Sequence, residues 1–410
     1  MLLNFRVANF RSINEMVVLS MVPSDIKNQM NVIHRTNPNA TKNKEYYGLT
    51  SAAIYGANAS GKSNIIKALS EFMSFIIHSS ENKPNEAIKL YKPFRLNDQN
   101  IEKPSIFSID LLVDDIKYKY YFEINNKNVL KEELNFYPKG LKVKIFERNN
   151  QNIIKGNGYD GVFETIKQRT NENQLFLSKA STENIEVIKN FYISLSSIFV
   201  LTADVFHSSD FNKSLIKSMT SILDPEYTKD VFNLNKSLIY VGVGGVVVYV
   251  VNDGVINTFH LNYKNEKVEF QLEDESSGTQ RIISFMPLIL IALKYKMSII
   301  VDEFERSLHP DIAQYILSLF NDPEVNKNGA QFIFATHDTT LLSPENKLRR
   351  DQINLVEKNS NGETELYSIS DIKGIREGNF EKWYLEGRFG AVPNIARETF
   401  RHELIDFVNS

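Results

Sequence analysis

The sequence predicts an α/β fold with a mostly parallel sheet, an antiparallel β subdomain and a helical lobe. A short apolar strand runs into a glycine-containing loop and then an amphipathic helix (51–77), and a run of period-two strands follows (106–147). In the last third of the chain, apolar strands alternate with helices, which is typical of parallel sheets. A length of 410 residues leaves room for several structural units. We expect an α/β lobe with the N-terminal strands and the meander, a helical lobe or insertion, and the C-terminal remainder of the α/β domain, over residues 1–158, 159–236 and 237–410.

The composition excludes several classes of protein. Net charge is −3, from 47 Lys+Arg and 50 Asp+Glu, so a globally basic nucleic-acid-binding surface is not indicated, although a local basic groove is not excluded. The absence of cysteine removes disulfides and thiolate chemistry and fits a reducing compartment. The longest apolar run, Leu238–Val251, is shorter than the roughly 20 residues of a membrane span, and Met1–Ser24 lacks the apolar core of a secretion signal. We therefore expect a cytoplasmic protein without membrane association.

The N-terminal elements follow one another in a simple order. Leu2–Val7 and Val17–Ser20 are predicted strands, joined through the turn at Asn9–Ser12. Ser51–Tyr55 is a small apolar strand, and Asn64–Ile77 carries apolar residues at helical spacing. Strand, glycine loop and helix together form one supersecondary unit.

The middle of the chain changes to a period of two. Its turn signals separate four predicted strands of an antiparallel meander: Ile106–Val113, Ile116–Ile124, Val129–Phe136 and Val143–Glu147. Tyr159–Leu234 is mostly helical in pattern. Strand signals return over Leu238–Leu272, with Asn252–Gly254 as a hairpin turn.

The final third alternates between helices and buried strands. Ser277–Tyr295 and Ile312–Phe320 are predicted helices. Ser298–Asp302 is an apolar strand that ends in acids, and Phe332–Ala335 and Ile353–Glu357 continue the sheet. The segment 374–410 is amphipathic in places and is either a helix that docks on the domain or a surface for a partner.

The strongest functional signal is an unbroken G-x-x-x-x-G-K-[ST] motif between the first parallel strand and its helix. It comprises Gly56, Ala57, Asn58, Ala59, Ser60, Gly61, Lys62 and Ser63, with Asn64 next in the helix. Its glycines let successive backbone amides point at phosphate oxygens, while Lys62 supplies charge for the β- and γ-phosphates and the Ser63 hydroxyl is a ligand for Mg²⁺. The motif predicts binding of ATP with Mg²⁺.

A second motif supplies the acids that a nucleotide-hydrolysing site needs. Asp302 follows the apolar strand directly and is predicted to hold Mg²⁺. Glu303 comes one residue later, where a carboxylate can orient and deprotonate the attacking water. Glu305 and Arg306 are interpreted as a surface ion pair or an interface contact.

Two further features narrow the class of site. Ser277 is a suitable N-cap for the helix that it opens, and Gly278 would allow a ligand to approach the free amides, with Gln280 just beyond. This anion site has no phosphate of its own within the subunit, so it is predicted to receive the γ-phosphate held by a second copy; a plain helix cap is the alternative. His337 follows the strand Phe332–Ala335 and could bond a γ-phosphate or the attacking water, or be structural.

Together these segments resemble a known family. GANASGKS, SSGTQ, VDEFERSLHP and FATHD resemble the Walker A, signature, Walker B with D-loop, and switch-histidine motifs of ABC-type ATPases. The opening FRVANFRS resembles the RecF/SMC branch of that family. The closer resemblance is to compact bacterial AAA-family ATPases of the RloA/AbiLi-like type, many of them carried in abortive-infection loci.

The resemblance implies an ABC-ATPase head that forms a homodimer, or a higher even oligomer, around two ATP molecules. Ser277 and Gly278 of one copy would complete the site of the other, and Glu303 and His337 would be catalytic. It also implies that Arg11 reaches the nucleotide, against the alternative of a surface arginine. Gln174 is a candidate for the glutamine that couples the nucleotide to the helical lobe.

Two functions follow from the resemblance. The first is an ATPase sensor or scaffold of an anti-phage system that controls a separately encoded effector, nuclease-like or toxin-like, because no second catalytic cluster is evident in the chain. The alternative is a RecF/SMC-like repair or recombination ATPase that binds DNA directly. For this alternative, nucleic acid is the partner, and the candidate basic clusters are Lys139, Lys142 and Lys144, and Lys347, Arg349 and Arg350. A transporter nucleotide-binding domain is disfavoured, because the 56–278 interval is too long and no membrane segment is evident.

Overall fold

A computed structural model describes residues 1–37, 39, 44–156, 162–183, 185–206, 247–251, 255–376, 378–393 and 397–409. The strands are β1 (Leu2–Ala8), β2 (Val17–Ser20), β3 (Val32–Asn37), β4 (Lys44–Leu49), β5 (Ser51–Tyr55), β6 (Ser105–Val113), β7 (Ile116–Ile124), β8 (Val129–Phe136), β9 (Val143–Asn149), β10 (Asn152–Lys155), β11 (Ile198–Leu201), β12 (Val247–Val251), β13 (Val255–Leu261), β14 (Lys267–Gln271), β15 (Ser298–Val301), β16 (Gln331–Ala335), β17 (Ile353–Lys358) and β18 (Thr364–Ser368). The helices are α1 (Lys62–His78), α2 (Val162–Gln168), α3 (Phe176–Ala180), α4 (Glu186–Leu195), α5 (Ala203–Phe206), α6 (Ser277–Tyr295), α7 (Pro310–Asn321), α8 (Phe380–Leu385) and α9 (Arg397–Asn409). Within these ranges, no helix combines the length and the apolar composition needed to cross a bilayer.

The central sheet carries the predicted glycine loop. Its strand order is β11-β15-β16-β5-β17-β18. The first five strands are parallel to their neighbours, and only the pairing of β17 with β18 is antiparallel within this sheet. The carboxyl ends of β15, β16, β5 and β17 therefore meet at one edge, where ligands of open α/β sheets bind. The predicted α/β class with a mostly parallel sheet is confirmed.

One strand of this sheet departs from the prediction. The segment 159–236 was expected to be mostly helical, and α2, α3 and α4 are helices, but Ile198–Leu201 forms β11 and pairs with β15 from Ile198 opposite Ser298. Four apolar residues in a row suit a buried strand as well as a helix, because periodicity alone does not separate the two in so short a run. Residues 207–246 lie outside the described residues, so the three-part division of the chain stays a prediction.

The antiparallel subdomain is a second sheet, of order β10-β9-β8-β7-β6-β1-β2. The predicted meander is confirmed as β6 to β9, and β1 joins it by pairing with β6. The apolar face of α1 packs on this sheet, with the rings of Phe72 and Phe122 stacked at 5.4 Å. Phe191 of α4 packs on the same face of the sheet, where its ring stacks on Tyr118 at 5.6 Å. The buried residues of α1 also share one apolar core with Ile54, Ile300 and Ile333 of the central sheet, so this helix lies between the two sheets.

A buried polar cluster ties α3 to the meander. Glu132 of β8 and Arg148 of β9 have fully buried side chains, and a guanidinium nitrogen lies 3.6 Å from the carboxylate. Glu132 also accepts hydrogen bonds from the backbone amides of Phe176 (2.8 Å) and Leu177 (2.9 Å) and from the hydroxyl of Tyr120 (2.9 Å). Burial raises the pKa of Glu132, against the opposing effect of Arg148. The carboxylate therefore anchors the first turn of α3 inside the fold.

The strand signals before α6 form a separate small sheet. β12, β13 and β14 pair antiparallel in sequence order. The predicted hairpin turn, Asn252–Gly254, and the first part of the apolar run, 238–246, lie outside the described residues. What is described of this region confirms strands between the helical segment and α6.

The far face of the central sheet is covered by α6, α7 and part of the C-terminal segment. Phe332 of β16 stacks on Phe320 of α7 at 4.9 Å. Phe380 and Tyr384 of α8 are buried in this core, and the Tyr384 ring lies 5.5 Å from that of Tyr55. This part of the segment 374–410 is therefore a docked helix, whereas α9 keeps Phe400 63% exposed.

Candidate nucleotide site

A cavity of about 470 Å³ opens at the carboxyl edge of the central sheet. Three predicted motifs meet there, together with one lysine that the motifs do not include. The lining residues are Asn58, Ala59, Ser60, Gly61, Lys62, Ser63, Asn64, Asp302, Glu303, Ala335, Thr336, His337 and Lys358. Its volume is within the usual range for small-ligand sites.

The glycine loop has the backbone conformation of an anion cradle. Ala59 has φ 62° and Gly61 has φ 117°, so the chain curls through the left-handed region before α1 begins. A Cβ at Gly61 would lie 2.2 Å from the Thr364 hydroxyl oxygen, and one at Gly56 would lie 2.2 Å from the Val356 carbonyl oxygen. Both glycines are required because β17 and β18 press closely against the loop.

Lys62 is buried and points back along the loop. Its ammonium donates to the carbonyl oxygens of Gly56 at 2.7 Å and Ala57 at 3.2 Å. Burial lowers its pKa to about 8, although the nearby carboxylates of Asp302, Glu305 and Glu303 act in the opposite direction. The charge is therefore held inside the cradle, where phosphate oxygens would replace the carbonyl oxygens as acceptors.

Asp302 and Ser63 come together as a donor set for a hard cation. Asp302 is 1% exposed at the end of β15, and the Ser63 hydroxyl donates a hydrogen bond to its carboxylate. Burial raises the pKa of Asp302. Its Oδ2 is buried and has no hydrogen-bond partner among the described residues. One carboxylate and one hydroxyl, with an acceptor oxygen still to be satisfied, fit Mg²⁺ bound jointly with substrate phosphates.

Glu303 lies on a turn that the signature helix supports. Its φ is 52°, in the left-handed region, and its carboxylate accepts a hydrogen bond from Arg306 at 3.0 Å. Arg281 of α6 donates to the Glu303 backbone carbonyl at 3.2 Å. Arg306 forms its surface ion pair with Glu303 and not with Glu305, and the alternative of an interface contact for Glu305 and Arg306 stays a prediction.

The backbone of His337 is held in place by a hydrogen bond to the Glu305 side chain. Its amide donates to Glu305 Oε1 at 2.7 Å, which links the turn after β15 to the turn after β16. Burial and the positive charge of Lys62 lower the pKa of His337, so its imidazole is neutral at pH 7. A neutral imidazole can either donate or accept a hydrogen bond near the phosphate.

The signature residues do not line this cavity. Gly278 lies against the turn after β15, where an added Cβ would be 2.8 Å from the Ser307 carbonyl oxygen. The Gln280 amide donates to the Glu275 carbonyl at 2.8 Å. The N-cap is Ser276, which accepts a hydrogen bond from the Thr279 amide, and Ser277 is the first helical residue, so the N-cap prediction was wrong by one position. That Ser277, Gly278 and Gln280 contact the γ-phosphate held by a second subunit stays a prediction.

Arg11 is also absent from the cavity wall. Its guanidinium pairs with Glu71 of α1 at 2.8 Å, and Lys92 pairs with the same carboxylate at 2.6 Å. Asn64 instead connects this turn to the loop, because its side chain donates to the Ser12 hydroxyl at 2.7 Å. A contact between Arg11 and nucleotide stays a prediction and would require the pair with Glu71 to open.

Gln174 is excluded as a nucleotide-coupling residue. Its amide donates to the carbonyl oxygens of Ser80 (3.0 Å) and Asn82 (2.7 Å), just beyond the C-terminal end of α1. The glycine loop is at the other end of this helix, which at 17 residues is about 25 Å long. Gln174 is a structural residue that closes the turn before α3.

The second proposed basic cluster has one of its three cations, Arg349, buried. Arg349 is 3% exposed, pairs with Asp351 at 2.7 Å and donates to the Asp25 carbonyl at 2.9 Å. On the other cluster, Lys142 and Lys144 pair with Glu133 and Glu147. Arg349 therefore holds the 25–30 loop in place and is not available to a phosphate backbone.

Sequence reasoning missed Lys358 and Thr364. Thr364 donates to the Ser60 carbonyl at 2.9 Å and shares a hydrogen bond with Ser12 at 2.7 Å, so it buttresses the loop. Lys358 is the last residue of β17, one position beyond the predicted strand. The only available signal was that a parallel strand next to β5 must end at the same edge of the sheet.

Comparison with known proteins identifies the family. The model of the family described as "AAA domain, putative AbiEii toxin, Type IV TA system" matches residues 51–343, well over half of the chain. This interval contains the glycine loop, Asp302, Glu303 and His337. A search among curated proteins finds no match.

Three solved structures are similar in fold, each at 15% identity and covering 90% of this chain. They are the SmcHead bound to the C-winged helix domain of ScpA (97% of that chain, TM-score 0.42), the SMC head domain from Thermotoga maritima (98%, 0.38), and the Smc head domain with an extended coiled coil bound to the C-terminal domain of ScpA derived from Pyrococcus furiosus (96%, 0.39). On the strength of the family match, the chain belongs to the AAA-domain family described as putative AbiEii toxin, Type IV TA system.

Proposed function

We propose that the protein binds ATP with Mg²⁺ and hydrolyses it, in a homodimer that encloses two nucleotides. The observation that carries the proposal is the single cavity in which the glycine loop, Asp302, Glu303 and His337 meet. These groups come from the ends of three adjacent parallel strands, β5, β15 and β16. Each has the chemistry that one part of phosphoryl transfer requires.

The residues divide the work as follows. Loop amides and Lys62 bind the β- and γ-phosphates, and Ser63 with Asp302 would hold Mg²⁺, which when bound neutralises charge on the phosphate oxygens. Glu303 accepts a proton from the attacking water. The water oxygen then forms a bond to the γ-phosphorus, and the bond between the γ-phosphorus and the β–γ bridging oxygen breaks. ADP and phosphate are the products. His337, neutral at pH 7, hydrogen-bonds the γ-phosphate or the water.

Glu303 has to leave an ion-pair partner before its carboxylate can act as a base. Its carboxylate is held by Arg306 at 3.0 Å, on the turn that also contacts Gly278 through Ser307. Docking of a second subunit against the signature residues would act on this same turn. Dimerisation and release of Glu303 would therefore be coupled.

The proposal is tested by hydrolysis and by size in solution, with and without ATP–Mg²⁺. Glu303→Gln keeps the shape of the side chain but removes the base, so we expect kcat to fall by about 10²- to 10⁴-fold and a nucleotide-dependent dimer to accumulate. Lys62→Ala should abolish nucleotide binding and the dimer together. Glu324→Gln is the matched control, since this exposed glutamate pairs only weakly with Lys327. A wild-type chain that hydrolyses no ATP, or a Glu303→Gln chain as active as wild type, would overturn the proposal.

At the cellular level, we propose that the ATPase cycle is the sensor or scaffold of an abortive-infection system and controls a separate effector. The family description, which names a putative AbiEii toxin and a type IV toxin–antitoxin system, supports a defence context. The test is phage plating on cells that carry the locus with wild-type or Glu303→Gln chain, with and without the neighbouring genes. Protection that survives loss of every neighbouring gene would contradict a separate effector.

A direct DNA-binding ATPase is the alternative, but its structural support is weak. Arg349 is buried, and Lys142 and Lys144 are already opposite acids. Binding of duplex DNA with a steep dependence of log K on log salt would favour this alternative, and no binding at low salt would remove it.

A further inference from the structure

Lys358 places a cation in the cavity that no predicted motif accounts for. It is exposed, it lines the same space as Lys62 and Asp302, and its ammonium makes no hydrogen bond or ion pair with another residue in the described part of the chain. By comparison, Lys327 lies outside the cavity and has Glu324 as a neighbour at 3.3 Å. A cation that faces a phosphate cradle without an acid beside it is suited to an anionic ligand.

The sheet order fixes which end of a nucleotide lies near Lys358. β16 and β15 lie on one side of β5, and they end in His337 and Asp302–Glu303, which serve the γ-phosphate and Mg²⁺. β17 lies on the other side of β5, about 4.8 Å away, and ends in Lys358. A triphosphate with its γ-phosphate toward Glu303 therefore directs its α-phosphate toward β17.

The backbone of Lys358 is fixed relative to the loop. Lys358 pairs with Thr364 across the β17–β18 hairpin. Thr364 in turn donates to the Ser60 carbonyl at 2.9 Å and is in contact with Gly61. The position of the lysine is thus set by the same hairpin that shapes the cradle, so that less ordering is needed when a phosphate binds.

We infer that Lys358 binds the α-phosphate of the nucleotide held by its own subunit. The inference deepens the proposed function and rests on nucleotide binding at this loop. The ligand class is a nucleoside diphosphate or triphosphate, because both carry the α-phosphate. Lys358 thereby contributes to affinity for substrate and product alike, whereas Glu303 and His337 act only on the γ-phosphate.

The experiment measures binding by calorimetry, using ADP–Mg²⁺ and the non-hydrolysable ATP analogue AMPPNP–Mg²⁺. Lys358→Ala should weaken both ligands by about tenfold, the loss of one charge-assisted hydrogen bond. Lys358→Arg should restore most of that affinity for both. Lys327→Ala, an exposed lysine that is not on the cavity wall, should bind as wild type does.

The outcomes separate this inference from the proposed function. If Lys358→Ala weakens AMPPNP but not ADP, the lysine contacts the γ-phosphate and the assignment is wrong. Unchanged affinity for both ligands, with the wild-type chain binding them, overturns the inference alone. A wild-type chain that binds neither nucleotide overturns the proposed function and this inference with it.

Discussion

The buried carboxylate of Glu132 makes a specific prediction about how the helical segment is held. Replacing Glu132 with Gln keeps the size of the side chain, but its single oxygen can accept from only one of the amides of Phe176 and Leu177, which donate to different carboxylate oxygens. The amide group of Gln would then face Arg148, which becomes a buried positive charge without its counter-charge. We expect a loss of stability that far exceeds the loss of one hydrogen bond.

The magnitude follows from what remains around Arg148. Removing one partner of a buried ion pair costs about 3–5 kcal/mol. Arg148 keeps backbone acceptors, including Asn150 at 2.6 Å and Asn171 at 3.3 Å, so we take the lower figure, about 3 kcal/mol. At about 2.1 cal/mol/K per residue for 410 residues, unfolding entropy is about 0.9 kcal/mol/K, so Tm should fall by about 3.5 °C.

Scanning calorimetry at pH 7 provides the assay, and the next residue provides the control. Glu133 is also a glutamate on β8, but its side chain is 32% exposed, and its ion pair with Lys142 is long, at 3.9 Å. Glu133→Gln should change Tm by less than about 1 °C, since partly exposed ion pairs contribute little. Equal Tm changes in the two variants would refute the reasoning from burial.

Three other predictions concern protonation and positioning. Because the pKa of Lys62 is about 8, the charged form should be about a tenth populated at pH 9, and ATP should bind about tenfold more weakly there than at pH 7 by calorimetry; a pH-independent affinity would contradict this. Burial alone would raise the pKa of Asp351, but hydrogen bonds from Arg349 and Ser24 hold it below its usual 3.8, so its stabilisation is present above pH 3.8 and is lost as the pH falls through the folded value. Asp351→Asn should therefore lower the free energy of unfolding by about 2 kcal/mol at pH 7, and its Tm gap to wild type should narrow below pH 4 in thermal scans; a constant gap would be the contrary result. Glu305→Ala removes the acceptor of the His337 amide and should lower kcat about tenfold while nucleotide affinity stays within about threefold; equal losses of both would indicate general damage.

The site residues that sequence reasoning found are those whose chemistry is local. Gly56 to Ser63 must be contiguous because one loop has to wrap one phosphate chain, and Asp302–Glu303 must follow an apolar strand to reach the sheet edge. Such constraints can be read directly from the order of the residues in the sequence. The α/β class followed in the same way, from the alternation of strands and helices around these motifs.

Residues that depend on strand order were not predictable in this way. Lys358 reaches the cavity only because β17 pairs with β5, and nothing in the residues near it specifies that neighbour. Arg349 is one of three basic residues that lie close together in the sequence. It is buried because it donates a hydrogen bond to the backbone of Asp25, more than 300 positions earlier. The strand β11 has only four residues, which is too short for the spacing of its apolar residues to distinguish a strand from a helix.

The order of the central sheet also bears on synthesis of the chain. The cavity is lined from Asn58 to Lys358, and the strands that bring these residues together are β5, β15, β16 and β17. About 300 residues must leave the ribosome between the first lining residue and the last, which takes roughly 15–60 s at ~5–20 residues per second. The nascent chain can complete its antiparallel sheet well before that time, but it cannot form the whole nucleotide cavity until nearly all of the protein has been made. Ligand-assisted folding is thus confined to the last stage of translation or after release.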